Sequence, residues 1–352
     1  MTSVCARQWA GLLLAGEILW AGVWAQPASA AEPPRSESVQ TIGPVSVLQV
    51  RPDAYMLTLE SGMNVAVVTG PQGTAVVNTG PASTADALLA AIKKITRTPI
   101  RVVINTSADA ELVGGNETVA AAGQALNEVL FRPAINSGDV GKVAAIIARQ
   151  SALERIMSRP GPAVPTWALP SEVFSRPQYN FSLNNEGVEV VWQPAAHSDS
   201  DTVVLFRRSD VVVTGAIFDI TRFPVIDLEH GGSIEGEINA LNQVMNTLVI
   251  EATPVLTDDG GTMIIPLRGQ LCSQADLLAY RDMVAAVRDR IQDLIDHGKS
   301  LAQVKAADPV QGYRSRYGSV TGSWTTDQFV EAAYKSLMAG KKVHKHKAGD
   351  EG

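Results

Sequence analysis

Short apolar runs punctuated by turn residues fill the chain from residue 45 to residue 79. Runs at 45–50, 55–59, 64–68 and 74–78 alternate with Arg51-Pro52-Asp53, Ser61-Gly62 and Gly70-Pro71-Gln72-Gly73, which predicts an antiparallel meander. The period then lengthens. Leu88, Leu89, Ile92 and Ile95 recur at helical spacing behind Ser83 or Thr84 as a cap, and Pro99 stops the chain before a strand that runs into Asn105-Thr106. A loop of small and acidic side chains follows, closed by Gly114-Gly115-Asn116. Strand, helix and strand predict a mixed α/β sheet, and a polar loop at a strand end is where such sheets hold chemistry.

Beyond that loop, residues 116–125 and 140–157 predict helices, 159–170 a Pro-rich connector, and 182–193 a hairpin turning at Asn184-Asn185-Glu186-Gly187. Buried strands are expected at 202–206 and 211–215. Ser233 is a cap for a helix through Val244. The long helix 273–297 carries Leu277, Leu278, Met283, Val287, Ile291, Leu294 and Ile295 on a broad apolar face suited to packing on a sheet, and another helix spans 326–338. His197 lies in the polar stretch 194–201 that leads into the strand 202–206, and Arg268 lies in Pro266-Leu267-Arg268-Gly269.

With 352 residues, 45% hydrophobic and 18% charged, the chain has ample length for a buried core, read as one domain over 45–338. A net charge of −7 argues against nucleic acid and anionic membrane as partners. Arg7, an apolar run over 9–25 broken by Glu17, and Ala28-Ser29-Ala30 read as a secretory signal peptide over 1–30, followed by a flexible segment over 31–44. The mature chain is then periplasmic or secreted, with no membrane contact beyond the leader. Cys5 leaves with that leader and Cys272 remains alone, so no internal disulfide is available. The Lys- and His-rich stretch 339–352 reads as a disordered basic tail.

The strand into Asn105-Thr106, its loop and Gly114-Gly115-Asn116 resemble the signature loop of the metallo-β-lactamase superfamily, Thr-His-x-His-x-Asp-His-x-x-Gly-Asn. The later segments, with Arg222 to Asp227 and Gly231-Gly232-Ser233, resemble its secreted metallo-hydrolase-like branch. The resemblance runs from Val45 to Leu337 and implies an αββα sandwich with a dinuclear zinc site. At the positions where the family binds its first metal this chain has Ser107, Asp109 and His197. At those for the second it has Glu111, Leu112 and Arg268, with Ala216 in place of the bridging aspartate and Asn78 in place of a buttressing one.

Only His197 keeps the family's residue, and arginine has no lone pair to offer a metal. No cofactor is therefore expected. Ser107, Asp109, Glu111, His197 and Arg268 should line a metal-free cleft in which Arg268 pairs with Asp109 or Glu111. The reading that follows is a catalytically impaired binding or accessory protein for a small-molecule ligand. The alternative is a hydrolase of ester, thioester or amide bonds, with one zinc on Asp109, Glu111 and His197, or with Ser107, His197 and Asp109 as nucleophile, base and carboxylate.

Overall fold

The computed structural model describes residues 39–126, 142–248 and 261–349, with side chains as far as Lys341. The expected signal peptide and most of the segment expected to be flexible lie outside the described residues. Strands β1 (Gln40–Ile42), β2 (Val45–Arg51), β3 (Ala54–Thr58), β4 (Asn64–Val68), β5 (Thr74–Val77), β6 (Ile100–Ile104), β7 (Ala145–Arg149) and β8 (Glu172–Phe174) follow one another across one sheet in chain order. From β1 to β5 the pairing is antiparallel, and from β5 to β8 parallel. A second sheet takes the order β13-β12-β11-β10-β9, from β9 (Gln178–Leu183), β10 (Glu186–Trp192), β11 (Thr202–Phe206), β12 (Val211–Val213) and β13 (Met263–Ile265).

Helices cover the outer face of each sheet. On the first, α1 (Ala85–Ile95) and α3 (Asn116–Ala121) bury Leu88, Ile92 and Val119 against Val65, Val67 and Val103, while α2 (Ala110–Val113) carries the site loop. Further along the same sheet, α4 (Gln150–Ser158) buries Leu153 and Ile156 with Leu112 and Leu267. On the second sheet, α5 (Ile234–Gln243), α6 (Gln274–Asp296) and α9 (Thr326–Gly349) pack over Val191, Val203 and Leu205, with α7 (Leu301–Ala306) and α8 (Arg314–Tyr317) between the last two. Between the sheets Met56, Ala66 and Val68 meet Val188, Val190, Val204 and Phe206. The architecture is an αββα sandwich. Among the described residues no helix is long and apolar enough to cross a membrane.

Several local readings are corrected. Residues 140–157 do not form one helix: Ala145-Ile146-Ile147-Ala148 is a parallel strand, and only Gln150–Ser158 is helical. A four-residue run buried on both faces has no polar side to set its period, so strand and helix look alike there. The helix expected over 116–125 ends at Ala121, because the chain straightens at Gly123 to bond Gln124 N–H to the Ile100 carbonyl at 2.8 Å. Neither Ser83 nor Thr84 caps α1; Thr84 Oγ1 instead donates to the Pro81 carbonyl at 3.0 Å. Gln40–Ile42, expected to be flexible, is an edge strand. The last helix runs past Met338 to Gly349, so the expected disordered tail is helical backbone that far.

The turn of the β9–β10 hairpin also joins the sheets. Asn184 and Asn185 both take the left-handed conformation, φ 62° and 58°, as a two-residue type I′ turn demands. Asn184 Oδ1 accepts from Gln72 N–H at 2.7 Å, and Asn184 N–H donates to Gln72 Oε1 at 2.6 Å. Near that end of the sandwich Arg51 donates to the carbonyls of Ser209 and Gly261 at 3.1 and 2.8 Å.

Candidate functional site

The site lies at the other end, where β5, β6, β12 and β13 finish and the stretch from Gln193 to Asp201 joins β10 to β11. Asn78, at φ 63°, turns the chain off β5, and its Oδ1 accepts from Thr106 N–H and Thr106 Oγ1, both at 3.0 Å. The amide thus does the buttressing that the resemblance assigns to a carboxylate. Asn116 clamps the far side of the loop: its Oδ1 accepts from Thr79 Oγ1 at 3.0 Å and Asn105 Nδ2 at 3.1 Å. Gly115 is needed because a Cβ there would lie 2.5 Å from the Thr79 carbonyl oxygen. All these groups are buried.

His197 reaches across from the second sheet. Its Nε2 lies 2.8 Å from Asp109 Oδ2, and its Nδ1 lies 2.8 Å from the carbonyl oxygen of Val225. Both ring nitrogens face acceptors, so both carry protons and the ring is an imidazolium. Burial would lower the histidine's pKa, but the Asp109 hydrogen bond and the Asp201 and Asp109 charges outweigh it and raise the ring to about 10. Burial would likewise raise Asp109, but His197, with Arg155 and Ser107, holds that carboxyl down at about 2.

Ser107 Oγ donates to the same Asp109 Oδ2 at 3.1 Å. Serine and histidine therefore meet on one oxygen with the carboxylate between them, and Ser107 is fully buried. Leu112, one of the positions singled out by the resemblance, is a core residue at 0% exposure.

Arg268 pairs as the sequence predicted, with one partner the sequence did not name. Its Nη2 donates to Glu111 Oε2 at 2.6 Å and its Nη1 to Asp219 Oδ2 at 3.2 Å. Glu111 and Asp219 together keep the guanidinium firmly charged against the penalty of burial. Arg222 backs the same pair, with Nε 2.9 Å from Asp219 Oδ2 and Nη2 3.6 Å from Glu111 Oε1.

A second arginine group closes on Asp109. Arg155 from α4 sets Nη2 3.5 Å from Asp109 Oδ1 and 3.2 Å from Asp227 Oδ2, and its Nη1 donates to Ser200 Oγ at 3.0 Å. Arg159 Nη2 donates to the Ala108 carbonyl. Arg155, Asp219, Arg222 and Asp227 were not named as site residues from sequence. Arg222 and Asp227 fall in the stretch resembling the family branch, a signal without a role attached, and Arg155 fell inside a helix whose bounds were misread.

The arrangement brings Ser107, Asp109 and His197 together in one cluster, and Glu111 with Arg268 in another. Among the described residues no three His, Cys, Asp or Glu side chains converge as they would to hold a metal ion.

Solved structures share this architecture. The stereoselective inverting sec-alkylsulfatase Pisa1 from Pseudomonas sp. and a double mutant of that enzyme each superpose with a TM-score of 0.61 at 15% identity, over 82% of this chain and 49% of theirs. A metallo-β-lactamase from Pontibacter korlensis superposes with a TM-score of 0.50 at 13% identity, over 68% of this chain and 99% of its own. The fold is that of the metallo-β-lactamases. This metallo-β-lactamase-fold chain spans about half the length of the sulfatases it matches. No family model and no curated protein matches its sequence. At 13–15% identity the likeness is one of fold.

Proposed function

We propose that the chain is a secreted metallo-β-lactamase-fold protein in which internal ion pairs occupy the place of a dinuclear zinc site. It acts as a binding or accessory protein for a small-molecule ligand rather than as a zinc hydrolase, and neither nucleic acid nor membrane is its partner. The observation that carries this is the Arg268 guanidinium, held between Glu111 and Asp219 at 2.6 and 3.2 Å. The fold implies zinc, and the residues present do not fit it. A cation near Glu111 would face Arg268 and Arg222 at short range, and a histidine protonated on both nitrogens has no lone pair for a metal. Catalytic zinc needs three protein ligands and an open position for water, and Asp109 and His197 are already spent on each other.

Acyl transfer through Ser107 is not supported by the geometry either. A serine nucleophile needs a neutral base on its hydroxyl, and Ser107 meets a carboxylate held ionised by an imidazolium.

The test is metal content and hydrolysis. The purified chain, exposed to zinc and desalted, should hold far less than one equivalent, and β-lactam, thioester and lactone substrates should turn over at background. Stoichiometric zinc together with turnover lost in Asp109→Ala would overturn the reading.

A further inference from the structure

Helix α5 meets the His197 loop backbone to backbone. A Cβ on Gly236 would lie 1.7 Å from the Ala195 carbonyl oxygen, and one on Gly232 2.1 Å from that of His197. Ser233 N–H donates to the carbonyls of Ala195 and Ala196 at 2.9 and 3.0 Å, and Ser233 Oγ accepts from Gly236 N–H at 2.9 Å.

One turn further on, Glu237 shares the inward face of α5 with Ile234, Ile238 and Leu241. It is 0% exposed, and neither carboxyl oxygen has a hydrogen-bond partner. Gln193 and Asp201, joined by a backbone hydrogen bond of 2.9 Å, continue the rows of Val191 and Val203, which pack in one core cluster with those α5 residues. Gln193 too is 0% exposed, with both amide atoms unpartnered. The charges acting on Glu237 are Asp201 and His197, and Tyr280 faces it from α6. An ionised Glu237 would have no donor, an apolar surround and a second carboxyl nearby.

We propose that Glu237 is a proton-held latch: as a neutral acid, bridged by internal water to Gln193, it seals the first turn of α5 onto the loop that presents His197, and losing its proton loosens that contact. Buried polar atoms without protein partners are where internal water or a proton is found. Burial, then Asp201, pushes the Glu237 carboxyl well above its ordinary 4.5, and burial raises Asp201 to about 7. A folded-state value raised in this way gives stability that is complete below the ordinary value and lost as pH climbs toward the raised one. The latch is closed in mild acid and weakens as pH climbs, whatever the cleft binds.

Thermal unfolding and infrared spectra of the full chain test this. The wild-type midpoint should fall by several degrees between about pH 5 and about pH 8, and Glu237→Gln should raise the midpoint at about pH 8 and flatten the fall. At neutral pH, where Asp201 at about 7 contributes to the same band, the carbonyl band of protonated carboxyls should lose intensity in Glu237→Gln and keep the Glu237 part in Asp201→Asn. Equal slopes in wild type and Glu237→Gln, or a band that only Asp201→Asn removes, overturns the proposal. If Glu237→Gln does not fold, amide exchange in the wild type decides: protection at Gly232 to Gly236 must drop over the same pH range beyond the intrinsic rise, and constant protection overturns it.

Discussion

Replacing Arg268 by alanine removes one of the cations that join the two sheets across the cleft. The Arg268 side chain is 16% exposed; Glu111 is 40% exposed and Asp219 4%. The Glu111 arm is open to solvent and contributes about 0.5–1 kcal/mol. The Asp219 arm is a buried charge-assisted hydrogen bond, for which ~1.5–3 kcal/mol is usual. Stranding a buried carboxylate altogether would cost about 3–5 kcal/mol, but Asp219 keeps Arg222 at 2.9 Å, so that penalty does not apply in full. Arg268→Ala should therefore destabilise the chain by about 2–4 kcal/mol. Urea unfolding reads this as a lower midpoint at an unchanged m-value. Pairing the substitution with Asp219→Asn should return part of the loss, because the amide no longer needs a cation. A cost below about 0.5 kcal/mol, the level of an ordinary surface change, would refute the argument, as would strict additivity in the double-mutant cycle.

Two further outcomes follow from the same contacts. His197, raised to about 10, contributes stability that is complete below its ordinary 6.5 and lost as pH rises, and Asp109, held at about 2, contributes stability that is lost as pH falls below its ordinary 3.8. The pair is therefore fully effective between about pH 4 and 6.5, and Asp109→Asn should flatten both flanks of the stability profile; an unchanged profile would show that the pair does not form. Gly236→Ala, which in an exposed helix would gain about 1 kcal/mol, should instead destabilise the chain because its methyl meets the Ala195 carbonyl, and a rise in thermal midpoint would contradict that contact.

The meander from β2 to β5 was legible because each strand is bounded by residues that can only turn, and the Asn184-Asn185 turn because two adjacent left-handed residues favour asparagine and glycine. The strand β7 was hidden by its own burial: Ala145 to Ala148 present no polar face from which a period of two could be read. Of the site, the loops were legible through their glycines and through the resemblance, and so was the pairing of Arg268 with Glu111. What sequence did not show is the set of partners. Arg155 stands 46 residues from Asp109, and Asp219 stands 49 from Arg268, distances at which no local spacing rule applies. The doubly protonated His197 was equally hidden, since it depends on where the Val225 carbonyl points.

The Asn184 turn bears on how the sandwich could move. The contacts between the sheets are mostly apolar, and apolar contacts resist separation far more than sliding. Directional bonds lie at both ends: Asn184 with Gln72, and Arg51 with Ser209 and Gly261, at one; Arg268 and His197 with the first loop at the other. The two sheets are therefore built like the covers of a book, with Asn184 at the spine and the charged pairs as the clasp. A ligand that competes for Glu111 or Asp109 would undo the charged clasp, while the backbone bonds from Asn64 N–H to the Leu267 carbonyl and from Thr202 N–H to the Thr106 carbonyl, both 2.8 Å, still hold that edge.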